Sequence, residues 1–374
     1  MIDDRAGDGT RVVSAGLPPP VAGQPLLPGP VFAAPFHLGP GERYYARNDN
    51  PTLTAFEDAL STLEGGHAVV FPSGMAAISA LLLSVLRPGD RLVIPSDGYF
   101  TTRTFVAEEL PWLDVTEVST VDIAGVAAAG GLEGVAMVLV ETPSNPRFDV
   151  CDLSMVVAAA RAAGCLVAVD NTVATPLGQR PLEHGADYSV ASDTKALSGH
   201  SDLLLGHVAA RDSGRGERLR QWRTRSGVVP GPFEVWLAHR SLGTLDLRLE
   251  RQATSARALA EALVGHRAVT GLRYPGLRGD PAHDLYTTQM RRPLGLLSFE
   301  LADADAVERF VRASRLAVAA TSFGGLHTTV DRRAQWGGDD VPPGFVRVSC
   351  GCEDTRDLVS DVVAALDSLG SSAS

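Results

Sequence analysis

This 374-residue chain carries 33 basic residues, and a single one of them, Lys195, is lysine. GC-rich coding trades Lys for Arg wherever only a cation is needed. Arg cannot stand in where an amine must lose its proton and act as a nucleophile. Lys195 is therefore a candidate for covalent chemistry, and burial or a cationic neighbour would make its amine a usable nucleophile and base. It closes the run Ser192-Asp193-Thr194-Lys195, whose hydroxyls could hold a phosphate. Ser73-Gly74-Met75 joins an N-cap residue to a glycine that lets a ligand approach the backbone. A helix N-terminus there would favour a phosphate. Asp170 follows Val167-Ala168-Val169, and a carboxylate ending a buried strand needs a partner: an Arg, a cap, or a protonated ring nitrogen. Each feature also has a plain reading, as a surface lysine, an ordinary capped helix or a salt-bridged acid. Taken together they fit one cofactor, pyridoxal 5'-phosphate, whose ring is an electron sink.

The elements that must position these residues can be traced by periodicity. Leu53, Phe56, Leu60 and Leu63 recur at helical spacing and stop at Gly65-Gly66. Short apolar runs at 67–71, 91–94, 135–140, 166–169, 188–191 and 203–210 predict strands, alternating with helices at 73–86 and 153–163. That alternation implies a mostly parallel sheet covered on both faces. In such a sheet ligands sit beyond the C-terminal strand ends. Ser73, Glu141-Thr142-Pro143-Ser144-Asn145-Pro146, Asp170 and Lys195 all follow such ends. A long helix at 245–264 leads into a smaller α/β unit, with strands at 294–301, 316–321 and 345–349 and helices at 303–314 and 354–369. The expected divisions are an N-terminal arm (1–50), a large cofactor-binding domain (51–245) and a small C-terminal domain (246–374). The Pro- and Gly-rich stretch 1–40 reads as an extended arm without a core of its own, and Ser371–Ser374 as a frayed end.

In this order the motifs resemble the Cys/Met-metabolism family of pyridoxal-phosphate enzymes. The resemblance spans roughly residues 43–368. It rests on Tyr45-Ala46-Arg47, Ser73-Gly74-Met75, Tyr99, Glu141–Pro146, Asp170-Asn171-Thr172, Ser192–Lys195 with Gly199-His200-Ser201-Asp202, Ser322-Phe323-Gly324-Gly325, and Arg347–Glu353. It implies an α/β fold of PLP-dependent transferase type I, aspartate-aminotransferase-like. The roles it implies are these: Lys195 carries the cofactor as an imine and shuttles protons, Asp170 pairs with the ring nitrogen, and Tyr99 stacks on the ring and serves as acid or base. Ser73, Gly74, Met75, Ser192 and Thr194 hold the phosphate. Tyr45 and Arg47 reach the phosphate of a neighbouring subunit, so the active unit is at least a dimer, and in this family usually a tetramer. Asn145 lies near the ring hydroxyl and the substrate carboxylate, which Arg347, helped by Ser322, grips in a bidentate manner. His200 reads as a structural neighbour of the lysine loop.

The implied reaction class is carbon–sulfur lysis of an amino-acid substrate, closest to cystathionine γ-lyase. The alternatives are γ-replacement on an O-acylhomoserine, as in cystathionine γ-synthase, and a methionine γ-lyase-like or specialised relative. Departures from the family pattern bear on that choice. Gly324-Gly325-Leu326-His327-Thr328 has His where the pattern has Glu, which makes His327 a candidate substrate contact, and Tyr44 stands where cystathionine γ-lyases often carry Glu.

The formal charge, 33 − 44 = −11, argues against nucleic acid or an anionic membrane as partner. No apolar segment follows Met1–Arg5, so a cytoplasmic enzyme is expected. Cys151, Cys165, Cys350 and Cys352 read as reduced thiols, with no metal site expected. No G-x-G-x-x-G follows the first strand, which sets a dehydrogenase aside.

Overall fold

The structure is a computed structural model and describes residues 6–40 and 43–369. The expected frayed end, Ser371–Ser374, lies outside the described residues. Seven strands form the first sheet: β1 His67–Phe71, β2 Arg91–Pro95, β3 Asp114–Val118, β4 Met137–Glu141, β5 Leu166–Asp170, β6 Tyr188–Ala191 and β7 Gly206–Ala210. Their order is β1-β7-β6-β5-β4-β2-β3. The run from β6 to β3 is parallel, while β7 is antiparallel to both β6 and β1. Strand alternation splits the sheet's side chains between two layers. Val69, Phe71, Leu139 and Val208 face one cluster; Ala68, Val70, Val138 and Val140 face the other side. Each such fully buried Val or Leu contributes about 1.5–3 kcal/mol.

The helices begin and end where their caps dictate. Asn50 accepts from the Thr52 amide at 2.9 Å and Pro51 occupies the first turn of the helix Pro51–Glu64, which stops at Gly65 with φ 73°. Ser73 caps the helix Gly74–Val85 through the Ala76 amide, and Asp152 caps Leu153–Ala163. A second sheet holds β8 Thr270–Arg273, β9 Leu296–Glu300, β10 Val318–Ala319, β11 Thr329–Arg332 and β12 Phe345–Ser349, in the order β10-β11-β12-β9-β8. The helices Leu245–Leu263, Ala304–Ala313 and Thr355–Ser368 pack with it. Among the described residues, no helix is long and apolar enough to cross a membrane.

The structure corrects the expected extended arm in one stretch. Asp8–Ser14 is helical, and its Val12, with Ala15, is buried in the cluster built on Leu53, Phe56 and Leu60. Asp8 anchors it by accepting from Arg180 Nη2 at 2.9 Å. Residues 17–40 keep no helix or strand.

Candidate active site

Two glycines shape one wall of a cavity of about 400 Å³ at the C-terminal ends of β4, β5 and β6. A Cβ on Gly74 would sit 2.6 Å from the Ser192 Cβ, and one on Gly206 would sit 2.7 Å from the Gly74 Cα. Only glycine lets these three backbones close together. The first turn of Gly74–Val85 therefore lines the cavity beside Ser192 and Thr194, and the free backbone N–H groups of such a helix start suit an anion.

Across the cavity, the Lys195 Nζ donates to Ser322 Oγ at 3.0 Å and lies 5.5 Å from the Phe323 ring centroid. Burial, reinforced by the cations Arg347 and Arg333, pushes its amine down to about 8. Asp170 accepts from the Thr172 amide at 3.0 Å. Burial raises its carboxyl, opposed by the Thr172 hydrogen bonds and by the charges of Lys195 and His207. A carboxylate so placed at a cavity wall lacks a close counter-charge, which a protonated ring nitrogen would supply. The cradle and the acid fit pyridoxal phosphate by their placement, and the depressed amine fits its chemistry.

Glu141 ties the next two residues in place. Its Oε2 accepts from the Tyr99 amide at 2.6 Å and its Oε1 from the Asn145 amide at 2.8 Å. It is in register with Asp170 on the neighbouring strand, and burial, then the Asp170 charge, push its carboxyl up to about 8. Sequence reasoning placed Glu141 in a motif but gave it no role. Its role depends on two loops meeting at one side chain.

Arg347 on β12 is 2% exposed. Its Nη1 donates to Asn145 Oδ1 at 2.5 Å; its Nη2 donates to the Ser322 carbonyl at 2.7 Å and to Asp331 Oδ2 at 3.0 Å. Among the described residues its Nε is buried without an acceptor. Burial, with Arg333 beside it, pushes the guanidinium down to about 10. Ser322 joins the two halves of the site: its hydroxyl meets Lys195 and its carbonyl meets Arg347, from a backbone held at φ +71°.

Every residue expected at the site lines this cavity except Tyr45, Arg47 and His327. Tyr45 and Arg47 stack on each other, 5.5 Å from guanidinium carbon to ring centroid, in a separate hollow against Gly227–Pro232. His327 is exposed and stands off the lining. Glu353 accepts from both the Thr328 amide (2.6 Å) and the Thr328 hydroxyl (2.8 Å), and next to that turn His327 is exposed. Arg333, Trp336, Phe100 and Leu204 line the cavity and were not foreseen. Arg333 is held by Asp331 Oδ2 at 2.9 Å and Asp339 Oδ2 at 2.8 Å. His200 is a neighbour of the lysine loop, 2.6 Å from the Ser198 carbonyl.

Comparison with known proteins agrees with this geometry. A family model described as "Cys/Met metabolism PLP-dependent enzyme" matches residues 32–367. A Streptomyces coelicolor protein named "Putative cystathionine gamma-lyase" is 52% identical, over 96% of this chain and 94% of its own length. A Mycobacterium tuberculosis cystathionine gamma-synthase is 36% identical, over 96% and 97%. Among solved structures, apo CalE6, a methionine gamma lyase from Micromonospora echinospora, superposes with a TM-score of 0.90 at 35% identity, covering 96% of this chain and 99% of that one.

Proposed function

The chain belongs to the Cys/Met metabolism family of PLP-dependent enzymes, and we propose that within it the chain is a cystathionine γ-lyase-like enzyme. It would take cystathionine and water to cysteine, 2-oxobutanoate and ammonia. The observation that carries its amino-acid chemistry is the meeting at Ser322 of the depressed amine of Lys195 and the carboxylate clamp of Arg347. The name of the Streptomyces coelicolor relative supports the γ-lyase choice. A methionine γ-lyase-like reading is the alternative that the apolar outer wall of Phe100, Leu204 and Trp336 favours, since it would suit an uncharged distal group. Supplying each substrate and identifying the keto acid and thiol released separates the readings. Cysteine with 2-oxobutanoate supports the first, methanethiol from methionine the second, and net synthesis of cystathionine would displace both.

When bound, pyridoxal phosphate supplies the aldehyde for the substrate amine and the electron sink for the carbanion. The chain does the rest. Ser73–Met75, Ser192 and Thr194 hold the phosphate, and Asp170 keeps the ring nitrogen protonated. Arg347 and Asn145 fix the substrate carboxylate, which orients the Cα–H bond toward the Lys195 Nζ. Lys195 takes up that proton, and Tyr99 stands beside the cavity as the second acid or base.

The lowered amine gives a pH prediction for the apo-protein. Only the neutral amine can attack the cofactor aldehyde. With the amine depressed to about 8, the rate of cofactor uptake should climb as pH rises from 7 to 9 and then level off. An unperturbed lysine would keep the rate climbing to about 10.4. Stopped-flow absorbance across that range decides between them.

We place the enzyme in the cytoplasm as a homo-oligomer of at least two subunits, with Tyr45 and Arg47 serving the neighbouring cavity. That both line a hollow other than the Lys195 cavity of their own chain supports the shared site. Arg47→Ala should then weaken cofactor binding roughly tenfold, the loss of one charge-assisted hydrogen bond to phosphate. Mixing Arg47→Ala with Lys195→Ala subunits should give hybrids whose one intact site turns over with wild-type cofactor affinity, which neither variant shows alone. No recovery in assembled hybrids would place Arg47 outside the shared site.

A further inference from the structure

Three charged side chains lie behind the lysine loop, and the chemistry above leaves them without a task. Glu64, Asp193 and His207 are each 0% exposed. Glu64 ends the helix Pro51–Glu64, Asp193 stands between Ser192 and Thr194, and His207 is the second residue of β7. The His207 Nδ1 is 2.7 Å from Asp193 Oδ1 and its Nε2 is 3.1 Å from Glu64 Oε1. A carboxylate oxygen on each nitrogen calls for a proton on each, so the ring is an imidazolium. Burial opposes that charge, but Asp193 and Glu64 prevail and raise the imidazole to about 10. Its neighbours in the sheet, Val70 on β1 and Ala191 on β6, are uncharged. The other oxygens, Glu64 Oε2 and Asp193 Oδ2, have no hydrogen-bond partner among the described residues. The imidazolium is thus what keeps two buried carboxylates together.

The location gives this cluster its meaning. Alternation along β7 sends Gly206 toward the turn at Ser73-Gly74 and His207 toward the opposite face. One residue earlier, the Leu205 amide donates to Thr194 Oγ1 at 3.1 Å, and the Thr194 amide donates to the Leu205 carbonyl at 3.2 Å. Beside that Thr194–Leu205 contact, Asp193 fastens the loop bearing Ser192, Thr194 and Lys195 through its side chain to His207 on the strand that supports Gly74. Apolar residues of similar volume would fill the same space with no desolvation cost, so the ions are better explained by geometry than by stability.

We propose that His207 is a positioning residue, clamped between Asp193 and Glu64, that holds the two halves of the phosphate cradle, Ser73–Met75 and Ser192–Thr194, in register. The inference rests on the pyridoxal-phosphate reading of the cavity. It is tested by titrating apo-protein with pyridoxal phosphate, followed by cofactor fluorescence, and by melting the apo and loaded forms. His207→Gln should raise the cofactor Kd roughly 10- to 100-fold, and it should shrink the gap between apo and loaded melting temperatures. Glu64→Gln, which touches only the outer contact, should move both in the same direction by less. A purely structural cluster would lower both melting temperatures equally and leave Kd unchanged; that result in the folded variants overturns the proposal. If His207→Gln does not fold, Glu64→Gln decides by the same criterion. Failure of the wild-type apo-protein to take up the cofactor would overturn the cavity reading instead.

Discussion

Lys195→Ala is expected to remove turnover by roughly 10³-fold or more, the loss of both a covalent anchor and the acid–base group at Cα. The visible absorbance of the bound cofactor should go with it. The chain has no other lysine to substitute. With its amine at about 8, roughly a tenth of Lys195 is neutral at pH 7, against far less than a hundredth for an ordinary lysine. Lys195→Arg should not rescue activity, since a guanidinium keeps its proton and cannot attack an aldehyde. Stability separates chemistry from folding here. Burial disfavours the charged amine, so its removal relieves a desolvation penalty, and the melting temperature of the apo-protein should hold or rise. Retained turnover in a well-folded Lys195→Ala protein would refute the central assignment.

What was legible in the chain divides along physical lines. Lys195 could be found because it is the chain's single lysine, and Asp170 because it ends a short apolar run, where a polar group must have a reason. The central strands β4 and β5 were plain because a strand buried on both faces is a continuous apolar stretch. The strand β3 was not, because it is an edge strand whose Asp114, Thr116 and Glu117 break the apolar run. The helix Ser213–Ser226 was hidden by its own polarity, with Leu219 and the paraffin of Arg223 supplying most of its buried face. The helix Asp8–Ser14 was masked by the proline-rich context that follows it, since only contact with a distant helix makes Val12 a core residue.

Roles, as opposed to positions, were harder to read. Glu141 acquires its task from the Tyr99 and Asn145 amides, and His207 from partners 14 and 143 residues away. No local period announces such meetings. Arg333 and Trp336 bound a single 3₁₀ turn, Arg333–Trp336, where the Asp331 and Asp339 carboxylates decide where the guanidinium goes. The outer wall of the cavity, which selects the substrate's distal group, is therefore the part that sequence reasoning reached least. The expectation placed on His327 came from a substitution within a motif, and the Thr328–Glu353 contacts turn that side chain away.

Arg347→Ala should have the second-largest effect, and a different signature. The substitution removes the donors to Asn145 Oδ1, the Ser322 carbonyl and Asp331 Oδ2 at once. Losing one partner of a buried, hydrogen-bonded charge pair costs about 2–5 kcal/mol, so kcat/KM should fall on the order of 10²- to 10³-fold. Most of that should appear as a higher KM for the amino acid, because the carboxylate loses its clamp, while the cofactor Kd stays near wild-type. Asp331 keeps Arg333 as a partner, which limits the damage to the fold. Arg347→Lys should recover charge but not the forked geometry, and so only part of the affinity. A second readout follows from Lys195. Arg347 is one of the cations that depress its amine. Removing that charge must raise the amine, so the pH dependence of cofactor uptake by apo Arg347→Ala should move to the alkaline side. An unchanged KM would take the substrate carboxylate away from Arg347. An unmoved uptake profile would show that its charge is not felt at the Lys195 Nζ.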